Sequence, residues 1–318
     1  MSNENLLKAR KAKNDEFYTL YKDIENELRH YKEHFKGKTI FMNCDDPTES
    51  NFWKYFHLNF EFFGLKKIIS THYLENQKSY MLEYEGGDDV DTSVGVKKDL
   101  EGDGDFRSEE SIRLLKKSDI VVTNPPFSLF REYVAQLIEY DKNFIIMGNQ
   151  NAITYKEIFP LIKENKMWLG VNTNKTMEFR VPDNYDHTKN GRIDKNGNKY
   201  VKVPAISWFT NLEHYKRNEE IILWKSYNEK DNPKYDNYNA IEVSKVKEIP
   251  EDYYGIMGVP ITFLNKYNPN QFDILGCTES QGKGFSNGLW DENSQVAQPL
   301  IKGKRKYVRI FIKRKDQN

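Results

Sequence analysis

The stretch Asp119-Ile120-Val121-Val122-Thr123-Asn124-Pro125-Pro126-Phe127 decides the fold. An acid followed by β-branched residues predicts a buried strand. The two prolines after it lack backbone donors and can neither continue a sheet nor enter a helix interior, so the chain must turn sharply at the strand's carboxyl end. The same unit repeats on either side. Thr39 to Asn43, Lys67 to Thr71 and Asn143 to Met147 are short apolar strands. Helices are expected from about Ser50, with Phe52, Tyr55, Phe56 and Phe60 inward, over Ser108 to Lys117, and over Leu129 to Tyr140. Phe17, Leu20, Tyr21, Ile24, Leu28, Tyr31 and Phe35 recur at helical spacing, which predicts one further helix from Asp15 to Phe35.

This alternation predicts an α/β fold with a doubly wound, mostly parallel sheet whose ligand lies beyond the carboxyl ends of the strands. The second half changes character. Asn190-Gly191 and Asn196-Gly197 signal tight hairpins, and after Trp224 the chain is rich in Tyr, Asn, Pro and Gly. The expected organisation is a catalytic domain over residues 1–225, with a hairpin insertion near 172–202, and a smaller mixed or β-rich domain over 226–318.

Composition narrows the function. With 318 residues and 14% aromatics the chain can bury a sizeable core, and 48 basic against 48 acidic residues exclude a partner drawn by net charge alone. Two cysteines, Cys44 and Cys277, cannot build a disulfide framework or a four-thiolate zinc site. No stretch is long and apolar enough to span a bilayer, so a soluble, cytoplasmic protein is expected. The charges are nevertheless segregated: Glu83 to Glu110 holds eleven acids and three bases, whereas Leu300 to Asn318 holds eight bases and one acid. That tail reads either as a solvated edge strand or as a surface strand contacting phosphates through Lys302, Lys304, Arg305, Lys306 and Arg309. Lys8, Arg10, Lys11 and Lys13 form a second basic cluster.

The proline corner carries the chemistry. It leaves the Asn124 side-chain carbonyl and the Pro125 backbone carbonyl as stiff acceptors, and such a pair suits a planar amino group. Hydrogen bonds accepted from that amine stabilise the charge that develops as its nitrogen attacks an electrophile. Pro126 holds the turn, and Phe127 offers a flat apolar face for a ring.

Asn124-Pro125-Pro126-Phe127 resembles the catalytic tetrapeptide of S-adenosylmethionine-dependent methyltransferases acting on the exocyclic amine of adenine in DNA, although protein glutamine methyltransferases carry a similar Asn-Pro-Pro-Tyr. Further matches narrow it: Asn14-Asp15-Glu16-Phe17-Tyr18-Thr19, Asn43-Cys44-Asp45-Asp46-Pro47 with Ser50-Asn51-Phe52, Trp208-Phe209-Thr210-Asn211, and Gly258-Val259-Pro260-Ile261-Thr262-Phe263-Leu264. Together they resemble the EcoRI-type adenine-specific DNA methyltransferase family across nearly the whole chain. The resemblance implies a Rossmann-like catalytic domain and S-adenosylmethionine as cofactor. It implies that Glu16, Phe17, Tyr18 and Thr19 pack beside the cofactor and that Asn43, Cys44, Asp45 and Asp46 cradle its methionine part. Asp105 and Phe106 then read its adenine, and Asn124 lies beside it. The usual glycine-rich turn is absent, and Thr71-His72-Tyr73 stands where a ribose-binding carboxylate normally ends the second strand, so that role has no residue. Phe127 and Trp208 are implied in the target-base pocket, and double-stranded DNA is the implied partner. A cognate restriction endonuclease encoded alongside and action as a monomer complete that picture.

Other readings of the same residues stay open. Asp99, Glu101, Asp103, Gly104 and Glu110 match a calcium-loop spacing, but the flanking helix is lacking on one side. His30 and His34 lie four apart with no third ligand nearby, so no metal is expected. Cys44 reads as a packing residue, because the adjacent carboxylate raises a thiol's pKa. Trp208 and Phe209 could be plain core aromatics. A catalytically silent DNA-binding protein of the same fold, or methylation of RNA or of a protein glutamine, are the competing functions.

Overall fold

The computed structural model describes residues 17–315, apart from 88, 183, 184, 186–190, 279–287, 292, 293 and 295. Glu16, the basic cluster at Lys8 to Lys13 and Asn190 lie outside the described residues. Two compact units divide the chain: one comprises the chain up to Gln150 with Leu169–Glu213, the other Asn151–Trp168 with the chain from His214. The sequence suggested a single break at 225.

The first unit is built on an 11-stranded sheet. Its strands are β1 (Tyr18–Thr19), β2 (Thr39–Met42), β3 (Lys67–Thr71), β4 (Tyr80–Tyr84), β5 (Val96–Asp99), β6 (Ile120–Thr123), β7 (Asn143–Asn149), β8 (Trp168–Leu169), β9 (Lys175–Val181), β10 (Gly191–Ile193) and β11 (Lys199–Thr210). The main order is β1-β9-β11-β7-β6-β2-β3-β4-β5. Only β7, β6, β2 and β3 are mutually parallel. The strands on both sides return antiparallel, β4 and β5 on one flank and β11, β9 and β1 on the other. The sheet is therefore mixed, with most pairs antiparallel, and the expectation of a mostly parallel sheet is corrected. Val96–Asp99 is exposed throughout and shows no apolar alternation, which is why its pairing left no sequence signal. The stretch near 172–202 supplies strands of this sheet, and the Asn196-Gly197 turn closes the β10–β11 hairpin with Gly197 at φ +87°.

Four helices of eight or more residues are found among the described residues: α1 (Tyr21–Leu28), α2 (Asn51–Leu58), α3 (Glu109–Lys117) and α4 (Phe130–Glu139). Ser50 caps α2 by accepting from the Phe52 N–H at 3.0 Å, and Ser108 caps α3 from Ser111 at 3.1 Å. The first helix is shorter than its periodicity suggested. Tyr18 and Thr19 pair with Arg180 and Phe179 of β9, so the helix begins at Tyr21. Ile24, Leu28, Tyr31 and Phe35 still form one buried face beside Phe52, Trp53 and Phe56.

The second unit holds a four-stranded sheet, ordered β12 (Ile241–Glu242), β13 (Met257–Pro260), β17 (Arg309–Arg314), β14 (Phe272–Cys277), and a small hairpin of β15 (Leu300–Ile301) and β16 (Lys304–Arg305). Lys302, Lys304 and Arg305 belong to that separate hairpin, whereas the Arg309–Arg314 part of the basic tail is a central strand rather than an edge, with Ile310, Phe311 and Ile312 fully buried. Its apolar residues come in succession because both faces are covered.

Candidate active site

Asp119 sets the register that builds the site. Its carboxylate accepts from the Thr39 N–H at 2.8 Å, tying the start of β6 to the start of β2. Because β2 and β6 run parallel, their carboxyl ends deliver Asn43–Asp46 and Asn124–Phe127 to one edge of the sheet. The prolines break β6, a single 3-10 turn over Phe127–Leu129 follows, and α4 begins at Phe130.

Asn124 is oriented by a residue 107 positions away. Its Nδ2 donates to the Phe17 backbone carbonyl at 2.7 Å. A carbonyl can only accept, so the amide nitrogen must face Phe17 and the amide oxygen turns away. That oxygen, Oδ1, is buried and has no hydrogen-bond partner among the described residues. A buried acceptor left without a donor costs stability, so native proteins rarely keep one without use.

Asp45 ties the two loops together. Its carboxylate accepts from Thr123 Oγ1, from Ser50 Oγ at 3.0 Å and from the Asn124 backbone N–H. Burial pushes its pKa up to about 7, against the downward pull of those three donors, and the neighbouring Asp46 charge adds to the rise. Asp46 accepts from Tyr80 at 2.8 Å and lies 3.4 Å from His72 Nδ1, so the histidine noted at the end of β3 meets this carboxylate. Asn43 Oδ1 accepts from the buried Tyr133 hydroxyl, while its Nδ2 is buried with no partner among the described residues. Burial, then the Asp45 charge, holds the Cys44 thiol well above its ordinary value, in keeping with a packing role.

The aromatic residues gather unevenly. Phe17 stacks on Phe127 with centroids 5.7 Å apart and an interplanar angle of 26°, and Phe179 meets both rings. Phe106 lies edge to face with Tyr133 at 5.0 Å, which links it through that hydroxyl to Asn43. The adjoining Asp105 carboxylate is gripped by Arg107 through Nε at 2.9 Å and Nη2 at 2.6 Å. Burial would raise its pKa, but the Arg107 hydrogen bonds outweigh burial and hold it below the ordinary value.

Two expected positions fall elsewhere. Trp208 is 0% exposed, with its ring edge-on to Phe52 at 6.0 Å, and belongs to the core rather than to an open pocket wall. Arg309 is 7% exposed and bidentate to Glu242, with Nη2–Oε1 at 2.7 Å and Nε–Oε2 at 3.0 Å, so it faces no phosphate. A central strand buries even its charged side chain, which then requires a partner. Tyr133 escaped sequence reading, and Thr123 and Ser50 were read only as strand and helix residues, without their hydrogen bonds to Asp45. Tyr133 stands three residues beyond Phe130 and four before Leu137, so its place on the buried face of α4 was the available signal.

Parallel strands ending in an Asn-Pro-Pro-Phe corner, with a buried amide oxygen that has no partner among the described residues, are the arrangement implied by the resemblance to methyltransferases acting on an amino group. The model of the adenine-specific EcoRI methyltransferase family matches residues 5–315, and this chain belongs to that family. It is similar to the type II methyltransferase M.EcoRI of Escherichia coli, 50% identical over 99% of this chain and 97% of that one. The type II methyltransferase M.MpnI of Mycoplasma pneumoniae is 42% identical over 97% of each chain. M.MgeORF184P of Mycoplasma genitalium, also named a type II methyltransferase, is 41% identical over 96% of this chain and 98% of its own. No solved structure matches.

Proposed function

We propose that this enzyme methylates the exocyclic amine of adenine in double-stranded DNA, with S-adenosylmethionine as donor. The observation that carries the reading is the Asn124 amide oxygen, buried without a partner at the carboxyl edge of β6 and held in orientation by Phe17. The residues around it fit the donor. Asn43 Nδ2 is a second buried polar atom with no partner among the described residues, Asp45 stands on the same loop, and Phe106 packs on Tyr133, whose hydroxyl donates to Asn43. When bound, S-adenosylmethionine supplies a methyl group already activated as a sulfonium.

The chain's residues do the rest. An adenine inside a duplex cannot reach this edge, so it must be flipped out at a cost of a few kcal/mol. Asn124 Oδ1 and the Pro125 carbonyl accept from its amino hydrogens, which turns the nitrogen lone pair toward the methyl group and stabilises the developing positive charge. Proximity in a fixed geometry supplies much of the remaining rate. Phe127, with Phe17 and Phe179 beside it, gives the base an aromatic environment.

The four parallel strands are read as the Rossmann-like methyltransferase core and the second unit as the target-recognition part, with phosphate contacts from the exposed bases Lys302, Lys304 and Arg305 and the half-buried Lys306. The enzyme is read as a cytoplasmic monomer acting beside a cognate restriction endonuclease. Among the described residues no helix is long and apolar enough to cross a membrane. The test is incubation with labelled S-adenosylmethionine and separate DNA, RNA and protein substrates. Label in the adenine amino group of DNA supports the reading. Label only in RNA or protein, or in none, refutes it.

A further inference from the structure

The β15–β16 hairpin carries a local conflict between sequence and backbone. Leu300 pairs with Arg305 and Ile301 with Lys304, leaving Lys302-Gly303 as a two-residue turn. Both turn residues have positive φ, +50° at Lys302 and +73° at Gly303. Asn or Gly is the usual first residue of such a turn, because a long side chain is disfavoured in the left-handed region. A lysine there is a poor choice for folding, and it places a cation at the tip.

The turn is nevertheless held firmly. The Asp236 carboxylate accepts from both turn N–H groups, Lys302 at 3.1 Å and Gly303 at 2.7 Å, and the Asp236 N–H donates to the Leu300 carbonyl at 2.8 Å. Asn237 accepts from the Leu300 N–H at 2.9 Å and donates to the carbonyls of Val296 and Gln298. Ile301 packs on the cluster of Tyr235, Tyr238, Ala240 and Phe311. On this fixed base Lys302, Lys304 and Arg305 are exposed, with Lys306 half-buried beside them and Tyr307 89% exposed. Among the described residues no carboxylate lies within ion-pair distance of these four cations. The nearby Asp236 spends its charge on backbone N–H groups instead.

We propose that this hairpin is a preformed finger for the phosphate backbone of duplex DNA, with Lys302 as its tip contact and Asp236 as the residue that holds it in position. The proposal rests on the DNA reading above and adds how the contact is made: a turn held in advance by Asp236 with Lys302 at its tip. A strained residue kept where glycine would fold better points to a use outside folding. Fixing the cations before encounter also reduces the ordering cost of binding.

Two variants test it against labelled genomic DNA fragments. Lys302→Gly relieves the backbone strain, so its melting temperature should rise, while the slope of log affinity against log salt should shrink by about one. An unchanged slope overturns the proposal. A fall in melting temperature together with the slope assigns Lys302 to folding and overturns it as well. Asp236→Ala removes a negative charge from a basic surface, so simple attraction predicts tighter DNA binding. Loss of the held turn predicts weaker binding, by roughly threefold or more at moderate salt. Tighter binding overturns the proposal. Methyl transfer by the unaltered enzyme separates the two levels. If it labels no DNA, the functional reading fails, whereas if it labels DNA and Lys302→Gly keeps the wild-type slope, only the finger fails.

Discussion

The Nδ2 of Asn124 donates to the backbone carbonyl of Phe17 at 2.7 Å, so a residue before the first helix fixes which end of the amide faces the site. Asn124→Ala removes both the acceptor and this anchor. Methyl transfer should fall at least roughly tenfold, as for loss of one group that stabilises transition-state charge. Single-turnover assays at saturating donor measure this, alongside cofactor and DNA binding, both of which should persist. Undiminished transfer would remove Asn124 from the mechanism.

Asp45 sets a pH dependence of stability. Its carboxyl titrates at about 7 in the folded protein against an ordinary 3.8, so the folded state holds the proton more tightly than the unfolded one. Stability from this group is therefore greatest below pH 4, declines as pH rises toward about 7, and levels off above. In Asp45→Asn that decline should be absent. Denaturation midpoints of both proteins across this range test it, and parallel curves would show that the group does not titrate there.

Arg309 and Glu242 form a buried pair, with Tyr235 and Ser244 also donating to the carboxylate. Arg309→Met leaves Glu242 charged and buried without its cation, which should cost about 3–5 kcal/mol in urea denaturation. Replacing both charges, Arg309→Met with Glu242→Leu, should recover part of that loss. If Arg309 instead served DNA, the single variant would lose salt dependence of binding and little stability.

Trp208 is packed against Phe52, and Gly170 lies so close that a Cβ there would come within 2.8 Å of the Trp208 Cβ. Trp208→Ala should cost about 3–5 kcal/mol by leaving a cavity. Its fluorescence in the intact protein should not respond to DNA, since the ring is shut in the core. A clear quench on binding would return Trp208 to the base pocket.

The sequence alone was enough to read the strands β2, β3, β6 and β7, the capped helices after Ser50 and Ser108, and the corner at Asn124. Those are local matters: apolar runs, hydroxyl caps and the missing donors of two prolines act within a few residues. The tertiary structure alone decided that the outer strands run antiparallel, that Tyr18 and Thr19 join a sheet instead of a helix, and that Arg309–Arg314 of the basic tail is a central strand with Arg309 inside. It also decided which amide atom of Asn124 is left over and how Asp45 joins the loops after β2 and β6. Each depends on partners dozens of residues away, and burial on a second face leaves no periodic trace in the strand that receives it.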